Sequence, residues 1–336
     1  MAVINVKNRT LCISLIVILQ FTIFWLGRFS AQISNLDSQT DNLKKCPEEE
    51  HRDVERTDAD KPSTYLFIAI MSEPNDVERR QAIRETWLKL STKTPQLYRY
   101  IFPIGAKDAS ANEIAALKDE QARTSDLVLF TELAEDYRKL SRKTAATIRH
   151  AVENFNFEFF LKVDVDTFVR LGKFLSALRD VAHPRLYWGF LDGRAKPFRK
   201  GKWKELDWIL CDRYLPYQLG GGYVLSGAIA NYIAKNHNLL RFYAAEDVAV
   251  GAWIAGLDVK YIHDPRFDTE FTSRGCNNEY LVTHKQTVKN MHVYFANIRD
   301  RGALCTEERQ IRSSYIYDFN VPPSKCCVRR NDSSVP

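Results

Sequence analysis

Nothing in the cysteine spacing of this 336-residue chain suggests zinc: no two cysteines stand as Cys-x-x-Cys. The turn after the first apolar run of the folded part, Met71 to Pro74, contains no glycine. That removes the dinucleotide-binding fingerprint and leaves any phosphate to be met by side chains. No internal repeat is visible, which excludes solenoids and propellers. The positive excess is small, +6, and spread along the chain. It suits an anionic ligand such as a nucleotide phosphate and calls for no nucleic acid. No acidic residue precedes Asp37.

That acid-free stretch holds an apolar run, Leu11 to Leu26, interrupted only by Ser14, Gln20 and Thr22 and preceded by Lys7 and Arg9. It reads as a signal anchor. Cleavage is the rival, but Phe29-Ser30-Ala31 places a bulky ring where a signal peptidase needs a small residue. The basic flank stays cytoplasmic under the positive-inside rule, so the rest of the chain faces a lumen. A helix of this length rises roughly 24 Å, a match for the thinner bilayers of the secretory pathway. The expected organisation is a cytoplasmic tail over 1–10, a transmembrane anchor over 11–27, a solvated stem over 28–62 and a folded domain over 63–330. The stem is assigned because its polar and charged residues cannot bury enough apolar surface to fold. Apart from Cys12 in the anchor, Cys46, Cys211, Cys276, Cys305, Cys326 and Cys327 make an even set suited to disulfides in an oxidising compartment, with the pairing left open. Asn331-Asp332-Ser333 is a glycosylation acceptor.

The folded part alternates between apolar runs and helical stripes. Tyr65 to Ile70 suits a buried parallel strand. Asn75 with Glu78 has the spacing of a capping box, followed by Ile83, Trp87 and Leu90 as a stripe. Arg80 and Arg84 lie one turn apart on another face and are candidates for phosphate contact. Further strands are expected at Tyr98 to Ile104, Leu127 to Phe130, Phe157 to Val163 and Leu186 to Phe190, with helices around Asn112 to Ala122 and through Ile148 and Val152. Such alternation argues for a mainly parallel α/β sheet with right-handed crossovers.

One strand ends in Asp164-Val165-Asp166. Alternation projects both carboxylates from its carboxyl end, where open α/β sheets bind ligands and where two carboxylates can hold a divalent cation against a diphosphate. Lys162 shares the face of Asp164 and can meet a phosphate or neutralise that carboxylate. Gly220, Gly221 and Gly222 mark a turn or a close backbone approach. Glu246-Asp247 opens a helix, where a carboxylate can serve as a cap or as a general base.

Taken in order, Arg79-Arg80-Gln81-Ala82-Ile83-Arg84-Glu85-Thr86-Trp87, Asp136-Tyr137 with Leu140 and Lys143, Leu161-Lys162 before the acidic triplet, Gly220 to Ser226 and Glu246-Asp247-Val248 resemble the motifs of the beta-1,3-glycosyltransferase family. The runs Leu186 to Phe190, Leu215-Pro216-Tyr217, His263 to Glu270, Tyr280 to Lys285 and Pro322-Pro323 resemble the branch of that family that builds the glycosaminoglycan–protein linkage region of proteoglycans. The resemblance implies a GT-A type fold with a Rossmann-like sheet flanked by helices. It also implies a Golgi membrane location as a single-pass type II protein. The implied reaction is inverting transfer of galactose from UDP-galactose to the 3-hydroxyl of a galactosyl-xylosyl-serine acceptor. Carried over by position, Asp166 and His284 are the metal ligands, with Mn2+ as the usual ion and Mg2+ open. Asp164 faces the ribose or the metal's surroundings, Asp247 is the base, and Glu246 with Gly221 and Gly222 positions the acceptor. Val165 departs from a common triple aspartate but points away from its neighbours, and Lys139 and Ser141 replace a commoner asparagine and threonine. N-acetylglucosamine transfer, another galactosyl acceptor, or a non-catalytic glycan-binding role are the alternatives.

Overall fold

The computed structural model describes residues 61–91, 97–330, 332 and 334–336. The expected tail, anchor and nearly all of the stem, together with Cys46 and Asn331, lie outside the described residues. Among the described residues, no helix is long and apolar enough to cross a membrane.

The domain opens with β1, Ser63–Met71, followed by α1, Val77–Glu85. The capping box read at Asn75 and Glu78 does not form. Asp76 precedes the helix without a side-chain cap, because its carboxylate accepts a hydrogen bond from the Glu73 amide at 2.8 Å instead. The expected helix also stops short, giving way after Thr86 to a 3-10 turn over Trp87–Ser91; Ile83 and Trp87 are nevertheless fully buried. Next come β2, Tyr98–Gly105, and α2, Ala111–Thr124. A reciprocal Ser110–Glu113 capping box starts that helix, a signal present in the sequence but unused there. The chain continues through β3, Leu127–Phe130, α3, Leu140–Asn154, and β4, Asn156–Asp164. Short β5, Phe168–Val169, and α4, Leu171–Val181, lead to β6, Leu186–Asp192.

A long connection then reaches β7, Tyr217–Ser226, followed by α5, Gly227–Lys235, and α6, Glu246–Ile254. The remainder is β8, Lys260–His263, β9, Phe267–Asp268, β10, Gly275–Cys276, β11, Val282–Thr283, α7, Val288–Arg301, and β12, Arg309–Gln310.

The main sheet has seven strands in the order β3-β2-β1-β4-β7-β6-β8. The expected mainly parallel arrangement is present, with one strand reversed: β7 runs antiparallel to both β4 and β6. Both faces are covered, as alternate residues of β1 show. Leu66, Ile68 and Ile70 enter one apolar cluster, while Phe67 and Ala69 enter the other. Gly220 to Gly222 lie within β7, so the turn reading fails and the close-approach reading holds.

A second sheet, β5-β11-β9, positions the site. It pairs Thr283 with Phe168, only two residues beyond Asp166, and so brings a segment from late in the chain against the acidic triplet. Gln286 N donates to Asp166 O at 2.7 Å and His284 N to Asp268 O at 3.0 Å, which fixes the path between them. Buried Arg274 ties this region together, donating to the Phe267 carbonyl at 2.7 Å and to Ser314 Oγ at 2.6 Å. The expected disulfides resolve into Cys276–Cys305 and Cys326–Cys327; Cys211 is exposed and unpaired among the described residues.

Candidate active site

Asp164 ends β4 and Asp166 follows in the turn, both facing a pocket of about 870 Å3. That volume is ordinary for a small-ligand site. His284 reaches the pair from the second sheet: its Nε2 stands 3.3 Å from Asp164 Oδ2 and 3.1 Å from Asp166 Oδ1. One ligating atom from each of the three lies within 4.8 Å of the others. Two carboxylate oxygens and an imidazole nitrogen converging in this way suit a divalent cation such as Mn2+. Asp164 therefore stands beside His284 as closely as Asp166 does, rather than apart from the candidate ligands.

The electrostatics of the three are coupled. Burial opposes ionisation of Asp164, but the Lys162 ammonium overrides it and holds the carboxyl well below the usual range. Burial likewise works against a charged His284, yet its bonds to Asp164 and Asp166 raise its pKa to about 9. A proton there occupies the electrostatic position that a cation would take. The far nitrogen of His284, Nδ1, is buried and has no hydrogen-bond partner among the described residues. Packing, not a second hydrogen bond, orients the ring: a Cβ on Gly221 would come within 2.6 Å of His284 Cγ. Gly222 similarly abuts Val282. The glycines thus admit the β11 segment onto β7, and Gly221 also lines the pocket.

Lys162 is 1% exposed and fully engaged. It donates to Asp164 Oδ1 at 2.6 Å and to the Gly220 carbonyl at 2.7 Å, and stands 3.1 Å from Glu246 Oε2. Of the two roles expected for it, neutralising a carboxylate is the one observed, and it serves two carboxylates at once. Glu246 is buried against it, accepts from the Tyr223 hydroxyl and lines the pocket beside Asp247.

Asp247 differs. It lines the pocket from the start of α6, with Oδ2 accepting from Gly220 N at 2.9 Å and Oδ1 from Val248 N at 2.9 Å. Burial and the neighbouring Glu246 charge push its pKa up to about 6, despite Lys162 and those two amides. A carboxylate poised near neutrality in a pocket is suited to proton abstraction. Adjacent residues of β7 therefore touch the two halves of the site, Gly220 the candidate base and Gly221 the candidate metal ligand.

Arg80 and Arg84 do not reach the pocket. Arg80 is fully buried and donates to Glu120 Oε1 at 2.8 Å and Oε2 at 2.7 Å, to Ser72 Oγ and to the carbonyls of Glu73 and Pro74. Arg84 grips Asp126 through two bonds of 2.8 Å and also Glu120. Both arginines pin α1 to α2 and the start of β3. The reason is positional: Arg80 lies three and seven residues before Ile83 and Trp87, on the inward stripe. The arginine of α1 that faces the pocket is Arg79, whose Nη1 stands 4.0 Å from Asp166 Oδ2. Lys202 and Lys285 add two further pocket-lining cations that single-residue reading passed over.

Residues 78–265 match the family model described as Galactosyltransferase. The chain belongs to that family. Among curated relatives of this family member, Beta-1,3-galactosyltransferase 6 of Mus musculus is 44% identical over 278 residues, covering 81% of this chain and 86% of the mouse protein. Beta-1,3-galactosyltransferase 7 of Arabidopsis thaliana is 33% identical over 222 residues, 60% of this chain and 56% of its own. A hydroxyproline O-galactosyltransferase of the same plant is 32% identical over 235 residues, but this chain spans only 34% of that longer protein. Among solved structures, a mannosyltransferase from Pyrobaculum calidifontis in complex with GDP-Man and Mn2+ aligns over 60% of this chain and 56% of its own. Its TM-score of 0.38 and 12% identity are too low to argue from.

Proposed function

We propose that this chain is an inverting, metal-dependent UDP-galactose β-1,3-galactosyltransferase of GT-A type. Its acceptor in this reading is the galactosyl-xylosyl-serine stem of a proteoglycan, and the chain works in the Golgi lumen from a type II signal anchor. The observation that carries the reading is the meeting, in one pocket, of an Asp164–Asp166–His284 ligand set with a separate carboxylate, Asp247, of raised pKa. The family membership and the likeness to the mouse protein support the donor and the linkage.

Asp164, Asp166 and His284 would hold the cation, which when bound supplies the positive charge that offsets the departing diphosphate. The chain's own residues do the rest. Lys162 keeps Asp164 ionised by standing against it, and Arg79 offers a second positive charge beside Asp166. Asp247 takes the proton from the acceptor hydroxyl as that oxygen attacks the anomeric carbon from the face opposite UDP. One displacement inverts the centre, so no covalent enzyme intermediate is needed. The purified full-length chain, given UDP-galactose, Mn2+ and a galactosyl-xyloside, is expected to release UDP and form a β-1,3-linked galactose. Transfer from UDP-N-acetylglucosamine in preference to UDP-galactose would overturn the donor assignment.

A further inference from the structure

Three aromatic rings stand on the rim of the active-site pocket with no place in the core. Phe198 is 51% exposed and Phe271 63%, while Trp203 lies between them, its ring centroid 4.7 Å from that of Phe271 and 5.7 Å from that of Phe198. All three line the same pocket as Asp247 and the Asp-Asp-His group. Large apolar surface left at a polar pocket is informative, and of these rings Phe271 also takes the Lys285 ammonium over one face, 3.6 Å from its centroid. Aromatic faces of this kind bind the apolar C–H face of a sugar ring, whose hydroxyls stay in water.

The connection between β6 and β7 that carries Phe198 and Trp203 is a built structure. Phe198 and Lys204 form a bridge, and the Phe198 carbonyl accepts from Glu205 N at 2.8 Å. The Glu205 carboxylate, 1% exposed, accepts from Asp207 N at 2.8 Å and reaches across to Ala244 N at 2.7 Å. Ala244 is three residues before Asp247. The connection that carries Phe198 and Trp203 is thereby tied through one buried carboxylate to the segment that carries the candidate base.

We propose that Phe198, Trp203 and Phe271 form the acceptor subsite: a stacking ledge that holds the terminal sugar of a β-galactoside with its hydroxyl turned to Asp247. The inference rests on the galactosyltransferase reading and names the surface that reads its acceptor.

The test uses the full-length chain, with Trp203→Ala, Phe198→Ala and Trp203→Phe as variants. Three quantities are measured: acceptor KM with a galactosyl-xyloside, UDP affinity with Mn2+ by calorimetry, and slow UDP-galactose hydrolysis without acceptor. Loss of a stacking face is expected to raise acceptor KM about tenfold in both alanine variants. UDP affinity and acceptor-free hydrolysis should stay at wild-type levels, and Trp203→Phe should recover most of the acceptor KM. A fall in UDP affinity would instead assign the ledge to the nucleotide and overturn the proposal, as would an unchanged acceptor KM. If wild type itself transfers no galactose to any β-galactoside, the underlying functional reading fails, a result separate from either of those.

Discussion

Gly221 lies flush against His284: a methyl group added there would stand 2.6 Å from the ring's Cγ and 2.7 Å from its Nδ1. Nδ1 makes no hydrogen bond among the described residues, so this contact, with the backbone bond of His284 to Asp268, helps aim Nε2 at the two aspartates. Gly221→Ala is therefore expected to swing the imidazole away and weaken Mn2+ binding by about 10- to 100-fold, the usual loss when a ligand's support is removed. Calorimetric titration of Mn2+ measures it, with far-ultraviolet circular dichroism checking the fold. Wild-type affinity in this variant would remove His284 from the ligand set.

Asp247→Asn is expected to lower turnover by about two to four orders of magnitude while UDP binding survives. In the unaltered chain the group must be ionised to accept a proton, and its pKa is near 6. The rate kcat/KM should therefore climb about tenfold per pH unit below 6 and level off above about 7. A flat profile from pH 5 to 8 would contradict the base assignment.

The same shift has a stability consequence of opposite sense. The folded-state pKa lies above the unfolded value of about 4, so the native chain holds the proton more tightly. That contribution is fully present below about pH 4 and is lost as pH rises through 6. Asp247→Asn should then raise Tm relative to wild type at pH 8 and leave it unchanged at pH 4, as thermal melts would register.

Arg80 and Glu120 form a buried ion pair at 2.7 Å. Removing Arg80 leaves Glu120 with Arg84 as its remaining partner and takes the donor from the Ser72 hydroxyl and the Glu73 and Pro74 carbonyls, a loss of about 3 kcal/mol. Arg80→Ala should lose that much in urea unfolding at a temperature where it still folds, with UDP affinity unaltered. An intact stability with weakened UDP binding would restore the phosphate role read from sequence.

Cys276 and Cys305 close a loop with a sequence separation of 29. Chain-entropy reasoning assigns such a crosslink about 3–4 kcal/mol through the unfolded state. The double Cys276→Ser, Cys305→Ser variant should fall short of wild type by that order in denaturant unfolding, and wild type under strong reductant should approach it.

Much of the scaffold is readable from local pattern. Leu127 to Phe130 is a strand in both descriptions, because a short apolar run bounded by polar residues has few other ways to bury itself. The Asp164–Asp166 pair at a strand's end followed from alternation alone. Helix starts were less legible: Asn75 and Glu78 have the spacing of a cap, but Asp76 already holds the Glu73 amide, while the working box sits at Ser110 and Glu113. Arg80 shows the limit on charge, since an arginine looks alike whether it awaits a phosphate or is met by Glu120, forty residues further on.

What the chain determines locally is the α/β alternation, the acidic strand end and the carboxylates that open α6, all set by neighbours a few residues apart. The tertiary structure alone decided which arginine of α1 faces the pocket, that the glycines lie in a strand pressed by His284 and Asp247, and that Lys162 serves two carboxylates. Those outcomes depend on contacts between segments tens of residues apart, and burial and ion pairing across such distances leave no periodic trace in the order of residues.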